Sequence, residues 1–215
     1  MSEGDVEGGV LALNSYLGDA VRLQRAAGRE GEVIAGLDRS HDPTQLARML
    51  SQVVQGGTET LRSLFSCGLV ELLNHPEQLD LLRRERGRIG MAVEEMLRFI
   101  SPVHHLRRTA TRDAELGGER IKEGDRVVVF LAAANRDESI HQEADRFDVT
   151  RTPQRHLSLG HAQHFCVGAH LARLEARVFW EEFLGRVEFV ERTGPLERIR
   201  SNQQNSLRRL PVRLR

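Results

Sequence analysis

The stretch LGHAQHFCVGAHLARLE, residues 159–175, places three histidines and one of the chain's two cysteines within ten positions. Val167, Leu171 and Leu174, with Val178 beyond, have helical spacing, so Cys166 stands just ahead of a helix. Unpaired N–H groups and the positive dipole end at a helix start favour the thiolate form of a cysteine. Gly160 and Gly168, on either side, let the backbone approach a bulky partner closely. The residues leave three readings open: a thiolate presented to an iron, a zinc cluster, or a buried inert thiol. For zinc, His161, His164, Cys166 and His170 have suitable ligand types. Their spacing is unusual, because His164 and Cys166 lie only two positions apart.

Working outward, the 215-residue chain is 40% hydrophobic and 29% charged, an ordinary balance for a soluble globular protein. Lys+Arg and Asp+Glu both number 31, so charge alone draws the chain to neither nucleic acid nor membrane. The apolar run from Val127 to Ala134 is too short to span a bilayer. The acidic, Gly-rich start MSEGDVEGG does not read as a secretory signal. Cys67 and Cys166 suggest no disulfide framework, and a cytoplasmic setting is expected.

Helical spacing of Leu13, Leu17 and Val21 predicts a first helix, breaking at the Gly-rich residues 28–33. Asp42-Pro43 reads as an N-cap followed by proline in the first turn. From there a stripe of Leu46, Met49, Leu50, Val53, Val54, Leu61, Leu64, Phe65, Leu72 and Leu73 predicts one long helix, about 43–74. Pro76 starts a shorter helix, and Ser101-Pro102 ends another that begins near Ile89. Residues 106–137 then read as short strands, with turns at Gly117-Gly118 and around Gly124. An irregular segment from Glu138 to Leu157 follows, then the cysteine loop, 159–168, and a last helix. VEFV and RLPVRL close the chain as strands. The fold class is α+β, mainly helical, with small sheets, read as a single unit over residues 1–215.

Gly56-Gly57 sit inside the long helix, where each costs about 1 kcal/mol relative to alanine. Thr58, Glu59 and Thr60 follow them. The pair fits either a kinked helix with a hydrated turn or a groove for a flat ligand served by hydroxyl and carboxylate groups. Glu95 and Arg98 share one helical face, a pattern common in charged helices.

Taken together, these segments resemble the cytochrome P450 family, in particular its bacterial soluble members. The resemblance is collinear from about Asn14 to the end. GGTET (Gly56 to Thr60) is similar to the distal-helix signature, and EMLR (Glu95 to Arg98) to the E-x-x-R pair. RRTATRD matches the segment with a propionate-binding arginine, AAANRD and DRFD the stretch leading to the meander, and the opening stretch the cysteine-ligand loop. Each motif is loose alone; their order and separations carry the resemblance.

The resemblance implies haem (heme b) with Cys166 as the axial thiolate on iron. Arg108 and His164 would neutralise haem propionates by charge-assisted hydrogen bonds. Gly57, Gly160 and Gly168 would allow close approach to the porphyrin. Glu59 and Thr60 would relay protons during dioxygen cleavage. Glu95, Arg98 and Arg146 would form a structural network on the proximal side. The implied activity is insertion of one oxygen atom into a small organic substrate, with electrons from a ferredoxin-type partner. Val103 to Leu106 are candidate pocket residues.

Four positions depart from the family pattern. Leu159 stands where phenylalanine is usual, Ala162 where glycine is usual, Leu61 for a second threonine and Ala144 for a proline. Alanine does not adopt positive φ cheaply, so strain is expected at Ala162. The resemblance covers only the C-terminal half of a family member, a truncated P450-like domain. The long helix is therefore expected to expose an apolar face suited to a partner chain or to self-association. A haem-poor, noncatalytic scaffold or activator of a partner enzyme is the alternative function.

Overall fold

The computed structural model describes residues 3–28, 42–152 and 155–215. The predicted break at residues 28–33 lies mostly outside them. Two compact units are distinguished, Met1–Glu59 and Thr60–Arg215.

The first unit holds helix α1 (Glu3–Ala26) and the start of helix α2 (Pro43–Asn74). Asp42 Oδ1 accepts the N–H groups of Thr44 (2.7 Å) and Gln45 (2.9 Å), which satisfies two donors that a helix start leaves unpaired. The Asp-Pro reading of the helix start is thereby borne out. Val21, Leu46 and Ala47 are buried, whereas Met49, Val53 and Val54 are exposed. The first half of the predicted α2 stripe is thus only partly covered.

In the second unit, the rest of α2 is joined by α3 (Pro76–Arg84) and α4 (Ile89–Ile100), with a single 3-10 turn at Arg86–Arg88 between them. Strands β1 (His105–Thr109), β2 (Ala114–Leu116), β3 (Glu119–Ile121) and β4 (Arg126–Phe130) follow, then the one-turn helix α5 (Leu131–Ala134). After the cysteine loop come helix α6 (Ala169–Arg186) and strands β5 (Val190–Arg192), β6 (Glu197–Arg198), β7 (Leu207–Arg209) and β8 (Val212–Leu214). The strands pair antiparallel as β1–β4, β2–β3, β5–β8 and β6–β7. The fold is α+β, mainly helical.

The core of this unit gathers Leu64 and Leu72 of α2, Leu82 of α3, Ile89, Val93 and Met96 of α4, Phe147, and Trp180 of α6. Each such side chain contributes roughly 1.5–3 kcal/mol through burial. Gly68 lies close beneath this packing: a Cβ there would lie 3.0 Å from both Met96 Sδ and Trp180 Cζ2, so those side chains would have to shift by a few tenths of an ångström. Phe65 stacks on Phe179 with ring centroids 4.2 Å apart. Helix α4 ends as its Ser101-Pro102 signal predicts. Ser101 turns to φ +45, and its hydroxyl donates to the Arg98 carbonyl at 2.9 Å.

Helix α6 forms where the spacing of Val167, Leu171, Leu174 and Val178 predicts a helix, and that face is turned away from the core. Its buried residues are Ala169, Ala176, Trp180 and Leu184, while Leu171, Leu174 and Val178 are exposed. The helix is apolar on more than one side, so spacing alone does not say which side meets the core.

Candidate functional site

Cys166 is half-buried in the loop between a 3-10 turn at Ala162–His164 and α6. Its N–H donates to the Leu159 carbonyl at 2.7 Å, and its own carbonyl accepts from Ala169 N at 3.1 Å. The first of these bonds closes the loop. Gly160 makes the closure possible, with φ +76 and a virtual Cβ only 2.4 Å from the His164 carbonyl oxygen. Gly168 is different: a Cβ there would meet Cys166 Sγ at an ordinary 4.0 Å. Ala162 adopts φ +49, so the alanine keeps a left-handed turn and bears its strain.

Large apolar side chains surround this thiol in sequence yet remain outside the core. Phe165 is 49%, Val167 94% and Leu171 58% exposed. A sulfur donor flanked by uncovered apolar side chains and a close-approach backbone suits a porphyrin iron, for which a cysteine thiolate is one of the established axial ligands. The residues present fit that group. They fit zinc poorly, since no cluster of three or more His, Cys, Asp or Glu among the described residues could hold a metal ion. His161, His164, Cys166 and His170 therefore do not converge. Cys67, the other cysteine, is buried; burial pushes its thiol up, as befits an inert core residue.

Helix α4 carries a buried ion pair. Arg98 Nε and Nη2 each donate to the Glu95 carboxylate at 2.8 Å, with the two side chains 3% and 2% exposed. Arg98 Nη1 also donates to the carbonyls of Asn135 (2.9 Å) and Ala144 (2.8 Å), and Nη2 to that of Arg146 (3.1 Å). Ala144, in the place of a usual proline, is fully buried there. Glu95 Oε1 accepts the Asp148 N–H at 3.0 Å. With every polar atom so engaged, this pair is of the kind that costs several kcal/mol to break.

The expected role of Arg146 is corrected. Only its carbonyl joins the network, while its exposed side chain pairs with Glu143 at 3.1 Å and Asp148 at 3.9 Å. The guanidinium that reaches Glu95 is that of Arg151, at 3.3 Å. The segment is irregular, so no periodicity in the sequence says which of two nearby arginines turns inward. Glu94 carries no sequence signal of its role. It binds Arg173 and His156.

Arg108 lies on β1 opposite Val127, exposed, with Nη1 donating to the Arg107 carbonyl. His164 ends the 3-10 turn and is exposed. The α-helical assignment of α2 runs unbroken through Gly56 and Gly57, and a Cβ on either would meet nothing within 4 Å. Glu59 and Thr60 are half-buried on the same helix. Near the candidate pocket residues, burial and then the neighbouring His105 hold His104 below the usual histidine range.

The family model for cytochrome P450 matches residues 36–214. The chain belongs to the cytochrome P450 family. Linalool 8-monooxygenase of Pseudomonas putida is 45% identical over 163 residues, which are 76% of this chain and 40% of that protein. The biotin biosynthesis cytochrome P450 of Bacillus subtilis is 47% identical over 131 residues, 61% of this chain and 33% of that one. Among solved structures, P450BioI in complex with hexadec-9Z-enoic acid ligated acyl carrier protein aligns with a TM-score of 0.92 at 33% identity. That alignment covers 100% of this chain and 57% of that one. The chain thus spans about two fifths or less of the length of these curated P450 relatives and somewhat over half of that solved P450. Among the described residues, no helix is long and apolar enough to cross a membrane.

Proposed function

We propose that the chain is the haem-thiolate part of a cytochrome P450 monooxygenase that inserts one atom of dioxygen into a small organic substrate. The observation that carries this reading is the Cys166 loop. It holds a half-buried thiol between a left-handed Gly160 turn and a helix start, amid exposed apolar side chains.

In this reading Cys166 Sγ, as thiolate, ligates haem iron, and Arg108 and His164 hold the propionate carboxylates through charge-assisted hydrogen bonds. When bound, haem supplies a redox iron that activates dioxygen, with the thiolate ligand favouring O–O cleavage. Thr60 Oγ1 passes protons toward the reacting oxygen, and the Glu59 carboxylate replenishes them. Gly57 lends its helix an uncovered backbone face. The Glu95–Arg98 pair with Arg151 keeps the segment before the loop rigid. Electrons come from a ferredoxin-type donor.

Haem titration of the purified chain tests the ligand assignment. Wild type is expected to take up one haem with iron in the same amount, and Cys166→Ala to bind it in an altered, non-thiolate spectroscopic form. Identical spectra for the two proteins would remove Cys166 from the iron. The exposed Val167, Leu171, Leu174 and Val178 favour a second reading, a haem-poor scaffold for a partner enzyme. Stoichiometric co-purification with another enzyme, without iron, would favour that reading.

A further inference from the structure

The loop that carries Cys166 has two arms, one entering through His156 and Leu157 and one leaving through α6. A single carboxylate holds both. Glu94 on α4 receives Arg173 Nε on Oε1 at 2.6 Å and Arg173 Nη2 on Oε2 at 2.9 Å. Oε2 also lies 3.2 Å from His156 Nε2. His156 precedes by three residues Leu159, whose carbonyl takes the Cys166 N–H. Arg173 lies two helical turns beyond Cys166.

Leu159, Ala169 and Ala176 of the two arms are packed in the core, and the polar clamp adds to that contact. A cavity of about 510 Å³ opens at the clamp, lined by Glu94, His156, Leu159, Gly160, Phe165 and Arg173, among others. The His156 side chain is only 4% exposed, and among the described residues its Nδ1 has no partner, so Glu94 is the polar anchor they supply it. The entering arm has two further ties, Ser158 Oγ to the Leu97 carbonyl at 2.6 Å and Leu157 N to Asn135 Oδ1 at 2.7 Å. Neither reaches α6; within the loop the Cys166 N–H bond to the Leu159 carbonyl joins the arms, and among the described residues Glu94 is the side chain that bridges them from outside it. A bidentate fork fixes angle as well as distance. Arg173 is also within electrostatic reach of Cys166.

We propose that Glu94 is a positioning residue for Cys166, setting the separation of the loop's two arms by holding His156 and Arg173 together. The proposal rests on Cys166 being the haem ligand, while its geometric part stands in the haem-free chain. Neighbouring Glu95 serves a different purpose, binding Arg98 and the segment around Asp148.

Amide hydrogen exchange on the full, haem-free chain tests the geometric part. In Glu94→Gln, the Gly160 and Cys166 amides are expected to exchange about tenfold faster or more, while those of α4 keep their protection. Arg173→Lys keeps the charge but loses the fork, and should give a smaller change in the same segment. Unchanged loop exchange, or an equal rise throughout the second unit, would overturn the clamp. With haem added, the fraction of thiolate-type carbon monoxide band should fall in Glu94→Gln and partly recover in Glu94→Asp. An unchanged fraction in Glu94→Gln would overturn the link to Cys166. Absence of the band already in wild type would defeat the haem reading and with it that link, leaving the exchange result to decide the clamp.

Discussion

Arg151 Nε lies 3.3 Å from Glu95 Oε2, whereas the side chain of Arg146, five residues earlier, turns outward to Glu143. Arg151 also donates to the carbonyls of Gln142 (2.6 Å), Glu143 (3.1 Å) and Arg146 (3.2 Å). It therefore ties the irregular segment to itself and to α4 through one guanidinium. Arg151→Ala is expected to cost on the order of 2 kcal/mol in urea unfolding, from lost charge-assisted hydrogen bonds. Arg146→Ala should change stability by less than about 0.5 kcal/mol, as an exposed side chain does. Equal effects would contradict the assignment of the inner arginine.

Ala162 holds φ +49 in the turn before Cys166. A residue with a Cβ pays about 1–2 kcal/mol in the left-handed region, against a smaller entropic cost for glycine. Ala162→Gly should therefore stabilise the chain by roughly 0.5–1 kcal/mol, read as a higher urea midpoint. Gly160→Ala should do the reverse, because its Cβ has no room beside the His164 carbonyl.

The Glu94 clamp has a pH signature. Burial alone would raise this carboxyl, but hydrogen bonds from His156 and Arg173, with their charges, bring it from 4.5 down to about 2. A carboxyl depressed in the folded state stabilises fully above its unfolded pKa and loses that contribution as pH falls through the folded one. The loss belongs between about pH 4.5 and pH 2 and is on the order of 2 kcal/mol once partial exposure is allowed for. Urea midpoints across that window should fall in wild type and fall less steeply in Glu94→Gln, since other depressed carboxylates such as Asp42 and Asp148 keep contributing. Parallel slopes would place the acid sensitivity elsewhere.

The features legible in the sequence were those that local chemistry dictates. Asp42-Pro43 caps α2 because a short carboxylate and a proline suit the start of any helix. Ser101-Pro102 ends α4, and Gly117-Gly118 turns β2 into β3 with both glycines at positive φ. The strain expected at Ala162 appears as a positive φ. Choices made by tertiary packing were not legible. Arg146 and Arg151 look alike in an irregular segment, and α6 is apolar on the side that faces the core and on the side that does not. Glu94 and Glu95 are adjacent, yet about 100° apart around the helix. That rotation sends one to the cysteine loop and the other to Arg98.

The carbon monoxide difference spectrum of the dithionite-reduced, haem-supplied chain tests the central claim most directly. The proposed thiolate ligation by Cys166 predicts a strongly red-shifted Soret band in wild type that is lost in Cys166→Ala. Haem bound without that band, or a band that survives the substitution, would contradict the account.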